Sequence, residues 1–221
     1  MAYKCVIFDF DGTLADTELQ VFTLYNEMAE KYKFKKITRE ELEQIKELNF
    51  GEILNIVDIP LYRIPKMIRE GQRRLKEEKH LIQAFKPHIK DFVTELTHET
   101  EVCGIITSNL KSTVNSFLRK YAIHNSFKFV ISSALLSKEK KILKVAKKYK
   151  FDISEILYIG DETRDIEACH RAGVDVVAVD WGYNSLAALK RCNPTYTVSS
   201  LEDILEIVRR KNETEGVTGT I

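Results

Sequence analysis

The chain has 221 residues, 44% of them apolar and 30% charged, and a net charge of +1 at pH 7. That is enough chain for one sizeable domain, or for one domain carrying a smaller one, with no overall field to draw it to nucleic acid or an anionic membrane. Four scattered cysteines with no Cys-x-x-Cys pair argue against a disulfide or zinc framework, no apolar run approaches the roughly 20 residues of a membrane span, and nothing resembles a secretory leader, so a cytoplasmic setting is expected.

The first segment, Tyr3-Lys-Cys-Val-Ile-Phe-Asp-Phe-Asp-Gly, opens as a near-continuous β-prone run. Such a run marks a strand buried on both faces, at the centre of an α/β sheet. Residues 16–85 then contain helical patterns and no convincing strand. Thr17 to Gln20 reads as a capping box, followed by Val21, Tyr25, Met28 and Tyr32 on one stripe. Thr38 to Glu41 is a second box, with Leu42, Ile45 and Leu48 behind it, and Pro65 suits the first turn of a further helix. An all-helical stretch of that length is too long for a connection, so an inserted cap domain is expected.

Beyond residue 85, strands are expected at 102–107, 129–132, 156–159, 174–179 and 195–198. Between them Val114, Phe117, Leu118 and Tyr121 share one helix face, and Ile142, Ala146 and Tyr149 share another. Leu201, Ile204, Leu205 and Val208 form a last stripe, opened by a box from Ser199 to Glu202. Strands alternating with helices imply a doubly wound parallel sheet, with ligands beyond the carboxyl ends of the strands. The expected division is a core of residues 1–15 and 86–211, a helical cap of 16–85, and a disordered polar tail of 212–221.

Four short signals sit at or just past strand ends. In Asp9-Phe10-Asp11-Gly12 two carboxylates stand two apart at a strand tip, and Gly12 permits a sharp turn whose neighbouring N–H groups could face an anion. Asp-Gly is also a common turn pair, but a turn does not explain why Asp9 ends a buried apolar run. Thr107-Ser108-Asn109 places hydroxyl and backbone donors before a helix, suited to phosphate oxygens, although such residues are also ordinary N-caps. Lys138 lies in Leu136-Ser-Lys-Glu-Lys-Lys, with Lys140 and Lys141 as alternatives. Gly160-Asp161-Glu162 ends the next strand, and Asp165 follows four residues after Asp161. Asp9, Asp11, Asp161 and Asp165 would converge at one sheet edge, where they repel unless cations compensate them. A lysine and a hard divalent ion would do so, and carboxylate ligands with retained waters point to Mg²⁺.

These four motifs, in this order, resemble the haloacid dehalogenase superfamily, and the phosphoglycolate phosphatase-like branch with a helical cap in particular. The resemblance spans Tyr3 to about Arg209 and includes Ile166-Glu-Ala-Cys-His-Arg-Ala-Gly-Val and Asp180-Trp-Gly-Tyr-Asn-Ser. It implies a Rossmann-like core and a phosphoric monoester hydrolase acting on a small phosphorylated metabolite. Asp9 would be the nucleophile and Asp11 the acid and base; Asp9, the Asp11 carbonyl and Asp161 would hold Mg²⁺. Gly12, Thr107, Ser108 and Asn109 would bind the phosphoryl group, Lys138 would balance its charge, and Thr13, Glu162 and Asp165 would support that set. A phosphomutase of the β-phosphoglucomutase type and a non-catalytic binding module are the alternatives. Arg69, Arg73, Arg74 and Lys76 read as a solvated helix face, or as contacts to a substrate carboxylate. Arg63 and Lys66 are open in the same way.

Overall fold

The computed structural model describes residues 2–57, 59–133 and 137–216. In chain order the elements are β1 (Cys5–Phe8), β2 (Ala15–Asp16), α1 (Glu18–Tyr32), α2 (Arg39–Ile45), α3 (Phe50–Val57), α4 (Ile64–Glu77) and β3 (Gln83–Ala84). There follow α5 (Ile89–Glu99), β4 (Val102–Thr107), α6 (Lys111–Lys120), β5 (Phe127–Ser132), α7 (Lys138–Tyr149) and β6 (Ile156–Gly160). The chain continues through α8 (Thr163–Ala172), β7 (Asp175–Val179), α9 (Leu186–Arg191), β8 (Tyr196–Val198) and α10 (Leu201–Gly216).

Six strands pair in the order β5-β4-β1-β6-β7-β8, every pair parallel. Because side chains alternate across a strand, β1 serves two cores. Val6 and Phe8 pack with Phe92, Phe117 and Ile204, from α5, α6 and α10. Cys5 and Ile7 pack on the other face with Ile142, Ile166 and Leu189, from α7, α8 and α9. Burying one such Phe or Ile contributes about 1.5–3 kcal/mol, which explains why β1 carries no polar residue until Asp9. The strand order turns at β1, between β4 and β6, and a doubly wound sheet opens its crevice at such a switch point.

Between β2 and β3 the described residues are helical, apart from turns and loops. The two short strands pair antiparallel, Ala15 with Ala84 and Asp16 with Gln83, so one ribbon ties the entry of this insertion to its exit. These strands were not legible in the sequence, since two-residue segments carry no period. Leu24, Met28, Met67 and Leu75 form a third apolar cluster, within the insertion. The exposed flank of α4 carries Arg69, Arg73 and Lys76, while Arg74 pairs with Glu27 at 2.8 Å, which is the solvated-face reading. Arg63 lies over the Phe34 ring and Lys66 over the Tyr32 ring.

Local signals fare unevenly. The Thr38–Glu41 box forms as expected, with both reciprocal hydrogen bonds, and Pro65 lies in the first turn of α4. The Thr17 box does not form, because the Thr17 hydroxyl is engaged elsewhere. At α10 the reciprocal pair is Ser200 with Asp203, one residue later than the expected Ser199 with Glu202. That helix also runs through Gly216, past the point where a disordered tail was expected; residues 217–221 lie outside the described residues. Leu136 of the lysine motif lies outside them as well. Among the described residues no helix is long and apolar enough to cross a membrane.

Candidate active site

The carboxyl ends of β1, β4 and β6 meet at one edge of the sheet, and the residues that follow them supply the acidic and hydroxyl groups. Asp9 follows β1 and is 3% exposed; its N–H donates to the Ile159 carbonyl of β6 at 2.8 Å, which locks its position beside Asp161. Lys138, the first residue of α7, is buried, and its Nζ lies 2.6 Å from Asp9 Oδ2 and 2.5 Å from Asp165 Oδ1. Lys140 is exposed and Lys141 only half-buried, so Lys138 is the lysine of this cluster. Burial opposes the Lys138 charge, but Asp165 and Asp9 outweigh it and hold the pKa above the ordinary value.

Asp161 is fully buried; its Oδ1 accepts from the Thr13 hydroxyl at 2.6 Å and its Oδ2 from the Tyr183 N–H at 2.8 Å. Its carboxyl is clamped between two glycines. A Cβ at Gly12 would come within 2.1 Å of Asp161 Oδ2, and one at Gly182 within 2.2 Å of Asp161 Cβ. Gly12 also has φ +77°, where other residues are strained. The Gly12 N–H donates to the Ala15 carbonyl at 2.9 Å, which closes the sharp turn expected of this glycine, and its missing side chain also admits Asp161.

Asp11 is half-buried and takes hydrogen bonds from Asn109 Nδ2, at 3.0 and 3.2 Å, and from the Thr17 hydroxyl at 3.0 Å. Since Thr17 donates to Asp11, the Tyr183 hydroxyl 2.6 Å away donates to Thr17. Burial and the neighbouring Asp9 charge raise the Asp11 pKa to about 6, against the lowering effect of those donors. Thr107 is fully buried at the end of β4, and its Oγ1 accepts from the Asn109 N–H at 2.9 Å. Asn109 thus spends its backbone donor on Thr107 and its amide on Asp11; of the two backbone donors expected to face a phosphoryl group, Ser108 or Asn109, that of Asn109 is engaged within the site. Ser108 is half-buried, and its carbonyl accepts from Gln72 Nε2 of α4 at 2.5 Å.

Asp165 is fully buried, and burial raises its pKa to about 7 although Lys138 opposes the shift. Glu162 pairs with Arg164 at the start of α8. Whether these residues suit a metal is decided by the donors present. One carboxylate oxygen each from Asp9, Asp161 and Asp165 lies within 4.8 Å of the others. Asp165 Oδ2 is buried without a hydrogen-bond partner, and burial with acidic neighbours pushes the Asp161 pKa well up. Crowded oxygen donors that resist ionisation together fit a hard divalent cation.

Several residues of this edge were not among the candidate site residues of the sequence. Thr17, Gln72, Arg164, Tyr183 and Asn184 each touch the cluster or its surroundings. Tyr183 and Asn184 belong to the segment that follows β7, which the sequence marked through the Asp180-Trp-Gly-Tyr-Asn-Ser stretch and through the rule that ligands gather past strand ends, without a role for either residue.

A family model described as haloacid dehalogenase-like hydrolase matches residues 6–179. The phosphoglycolate phosphatase of Synechococcus elongatus is 27% identical over 206 residues, covering 93% of this chain and 97% of that one. Pyrophosphatase PpaX of Oceanobacillus iheyensis is 25% identical, covering 94% and 98%. Among solved structures, a haloacid dehalogenase-like family hydrolase from Streptococcus pneumoniae superposes with a TM-score of 0.76 at 18% identity, covering 92% and 97%. CbbY of Rhodobacter sphaeroides, solved with phosphate, does so at 0.69 and 17%, covering 91% and 96%.

Proposed function

The chain belongs to the haloacid dehalogenase-like hydrolase family, and from that premise we propose that it is a Mg²⁺-dependent phosphatase for a small phosphorylated metabolite, working through an aspartyl-phosphate on Asp9. The observation that carries the reading is Lys138, buried with its Nζ on both Asp9 and Asp165, while the acid Asp11 stands two residues from Asp9. An Asp9 oxygen attacks phosphorus and the ester P–O bond breaks, which splits hydrolysis into two easier steps. Asp11 gives its proton to the leaving oxygen, then takes one from the water that attacks the phosphoenzyme and releases inorganic phosphate. A carboxyl raised to about 6 is matched to both duties near neutral pH.

Lys138 supplies positive charge where phosphoryl oxygens gather, and Asp165 holds its Nζ in place. Thr107 and the backbone N–H of Ser108 would donate to the phosphoryl oxygens. Asp9, Asp161 and the Asp11 carbonyl would hold Mg²⁺, with Asp165 close by. When bound, the ion neutralises carboxylate and phosphoryl charge and orients the transferring group. The helical insertion acts as a cap that excludes water.

The test is release of inorganic phosphate from an aryl phosphate and a panel of metabolite esters, with Mg²⁺ or EDTA, for wild type and Asp9→Asn. The names of the relatives put phosphoglycolate and pyrophosphate on that panel. Magnesium-dependent turnover that Asp9→Asn reduces by roughly 10⁴-fold or more is expected for a lost covalent nucleophile. Turnover that survives the substitution would remove Asp9 from the mechanism. Absence of phosphate release from every compound would favour a mutase or a binding role.

A further inference from the structure

The helical insertion leaves an apolar hollow beside Asp11. Helices α1 to α4 each turn apolar side chains toward one cavity of about 400 Å³. On α3 the lining is Phe50, Ile53, Leu54 and Val57, the spacing of an amphipathic helix that faces a core. Phe50, Ile53 and Leu54 nevertheless remain half-buried, because the opposite wall does not close on them. One end of the same cavity is polar and belongs to the catalytic edge: Asp11, Ser108 and Asn109 line it together with Arg164. Arg164 keeps its Nε and Nη1 buried without a hydrogen-bond partner.

We propose that this hollow receives the leaving group, and that the preferred substrates are phosphate monoesters of hydrophobic alcohols, with a chain of several carbons or a ring. The inference rests on the phosphatase reading and deepens it. With phosphorus at Asp9, the bridging oxygen must lie within reach of Asp11, and the group beyond that oxygen then points into the cavity that Asp11 lines. The anionic head belongs at the polar end, which Ser108, Asn109 and Arg164 line, and the hydrocarbon belongs against α3 and α4. A volume of about 400 Å³ falls within the roughly 300–1,000 Å³ of pockets that enclose drug-sized ligands. A two-carbon acid or a second phosphate would leave most of the apolar lining unfilled.

The experiment uses n-alkylphosphonates from ethyl to octyl as non-hydrolysable ligands, with Kd measured calorimetrically on the wild type in Mg²⁺. The matching n-alkyl phosphates are assayed for kcat/KM beside phosphoglycolate and pyrophosphate. Alkyl leaving groups differ little in reactivity, so the series reads binding of the chain. Each added methylene should tighten binding and raise kcat/KM roughly fourfold until the hollow is filled. Ile53→Trp, which fills space at the lining, should flatten the upper part of both series. A Kd independent of chain length, or a kcat/KM for phosphoglycolate or pyrophosphate above every alkyl ester, overturns the inference. Chain-dependent Kd without turnover of any ester supports the hollow as a binding site and defeats the phosphatase reading instead.

Discussion

The side-chain amide of Asn184 donates to the backbone carbonyl of Lys46 at 3.0 Å. The same amide reaches the Leu48 carbonyl at 3.0 Å, and Asn184 Oδ1 accepts from the Thr163 N–H at 2.9 Å. One buried side chain therefore fastens the loop after α2 to the start of α8, which leads into Asp165. The Ser185 N–H adds a further bond to the Lys46 carbonyl at 2.9 Å. Gln72 makes a comparable link from α4 to Ser108. In this arrangement polar contacts tie the helical insertion to the edge that carries Asp11, Ser108 and Thr163.

Asn184→Ala tests that fastening. Unpairing a buried N–H and removing the bonds to two carbonyls should lower stability by about 1–3 kcal/mol, read from denaturant unfolding. Because the bonds tie the insertion to the site edge, KM should rise more than kcat falls. A variant with unchanged unfolding and unchanged KM would show that the contacts are incidental.

Among the described residues Lys138 is the one cation in contact with both Asp9 and Asp165, and all three side chains are nearly inaccessible. Lys138→Met, a change of similar length, would leave two buried carboxyls without a cation. Breaking such a pair by removing one member costs about 3–5 kcal/mol, so unfolding in EDTA should move accordingly. Adding Asp165→Asn should recover part of the loss, because one uncompensated charge is then gone. A double variant no more stable than Lys138→Met would mean that the charge of Asp165 is not what Lys138 compensates.

Protons and the proposed divalent ion would compete for this cluster. Burial raises Asp11 to about 6 and Asp165 to about 7, whereas an unfolded aspartate titrates near 4. Between those values the folded chain binds more protons than the unfolded one, so metal-free stability falls as pH rises from about 4 to about 7. A bound divalent cation removes the cause, since it favours the ionised carboxyls. The rise in Tm on adding Mg²⁺ should therefore be larger at pH 8 than at pH 5, as measured by calorimetry at constant ionic strength. An equal rise at both values would place the binding of Mg²⁺ away from these carboxyls.

What could be read from the sequence was whatever depends on strand ends. Asp9, Thr107 and Asp161 each close an apolar run, and a parallel sheet brings the ends of its adjacent strands together whatever the loops do. The pairing of Lys138 with Asp9 followed less directly, because Lys140 and Lys141 occupy the same turn and only burial separates them. Thr17 was misread for a physical reason: its hydroxyl has the spacing of an N-cap, but Asp11 and Tyr183 offer it stronger partners. Asn109 shows the same competition, its donors turned toward Thr107 and Asp11. The hollow within the insertion was not legible at all. The stripes on α1 to α4 predict apolar faces, but periodicity does not say whether facing stripes meet or stand apart.

The closeness of Asp161 to two glycines yields a last prediction that separates steric from conformational effects. At Gly12 an added Cβ would both strain the backbone, at φ +77°, and strike Asp161 Oδ2. Gly182 is not among the residues with positive φ, so there an added methyl acts through the contact at 2.2 Å from Asp161 Cβ alone. That contact leaves no room, and the atom struck is next to the backbone rather than at the end of a flexible chain. Gly182→Ala should therefore displace Asp161 and its bonds to Thr13 and Tyr183. The cost is of the order of 1–3 kcal/mol in stability, as for other overpacked sites, and about 10–100-fold in Mg²⁺ affinity, as for disturbed supporting contacts elsewhere. Mg²⁺ titration of activity and of Tm reads both quantities on one protein. If Gly182→Ala lowers stability but leaves the Mg²⁺ dependence intact, Asp161 is structural and the metal ligands must be sought among Asp9, Asp11 and Asp165.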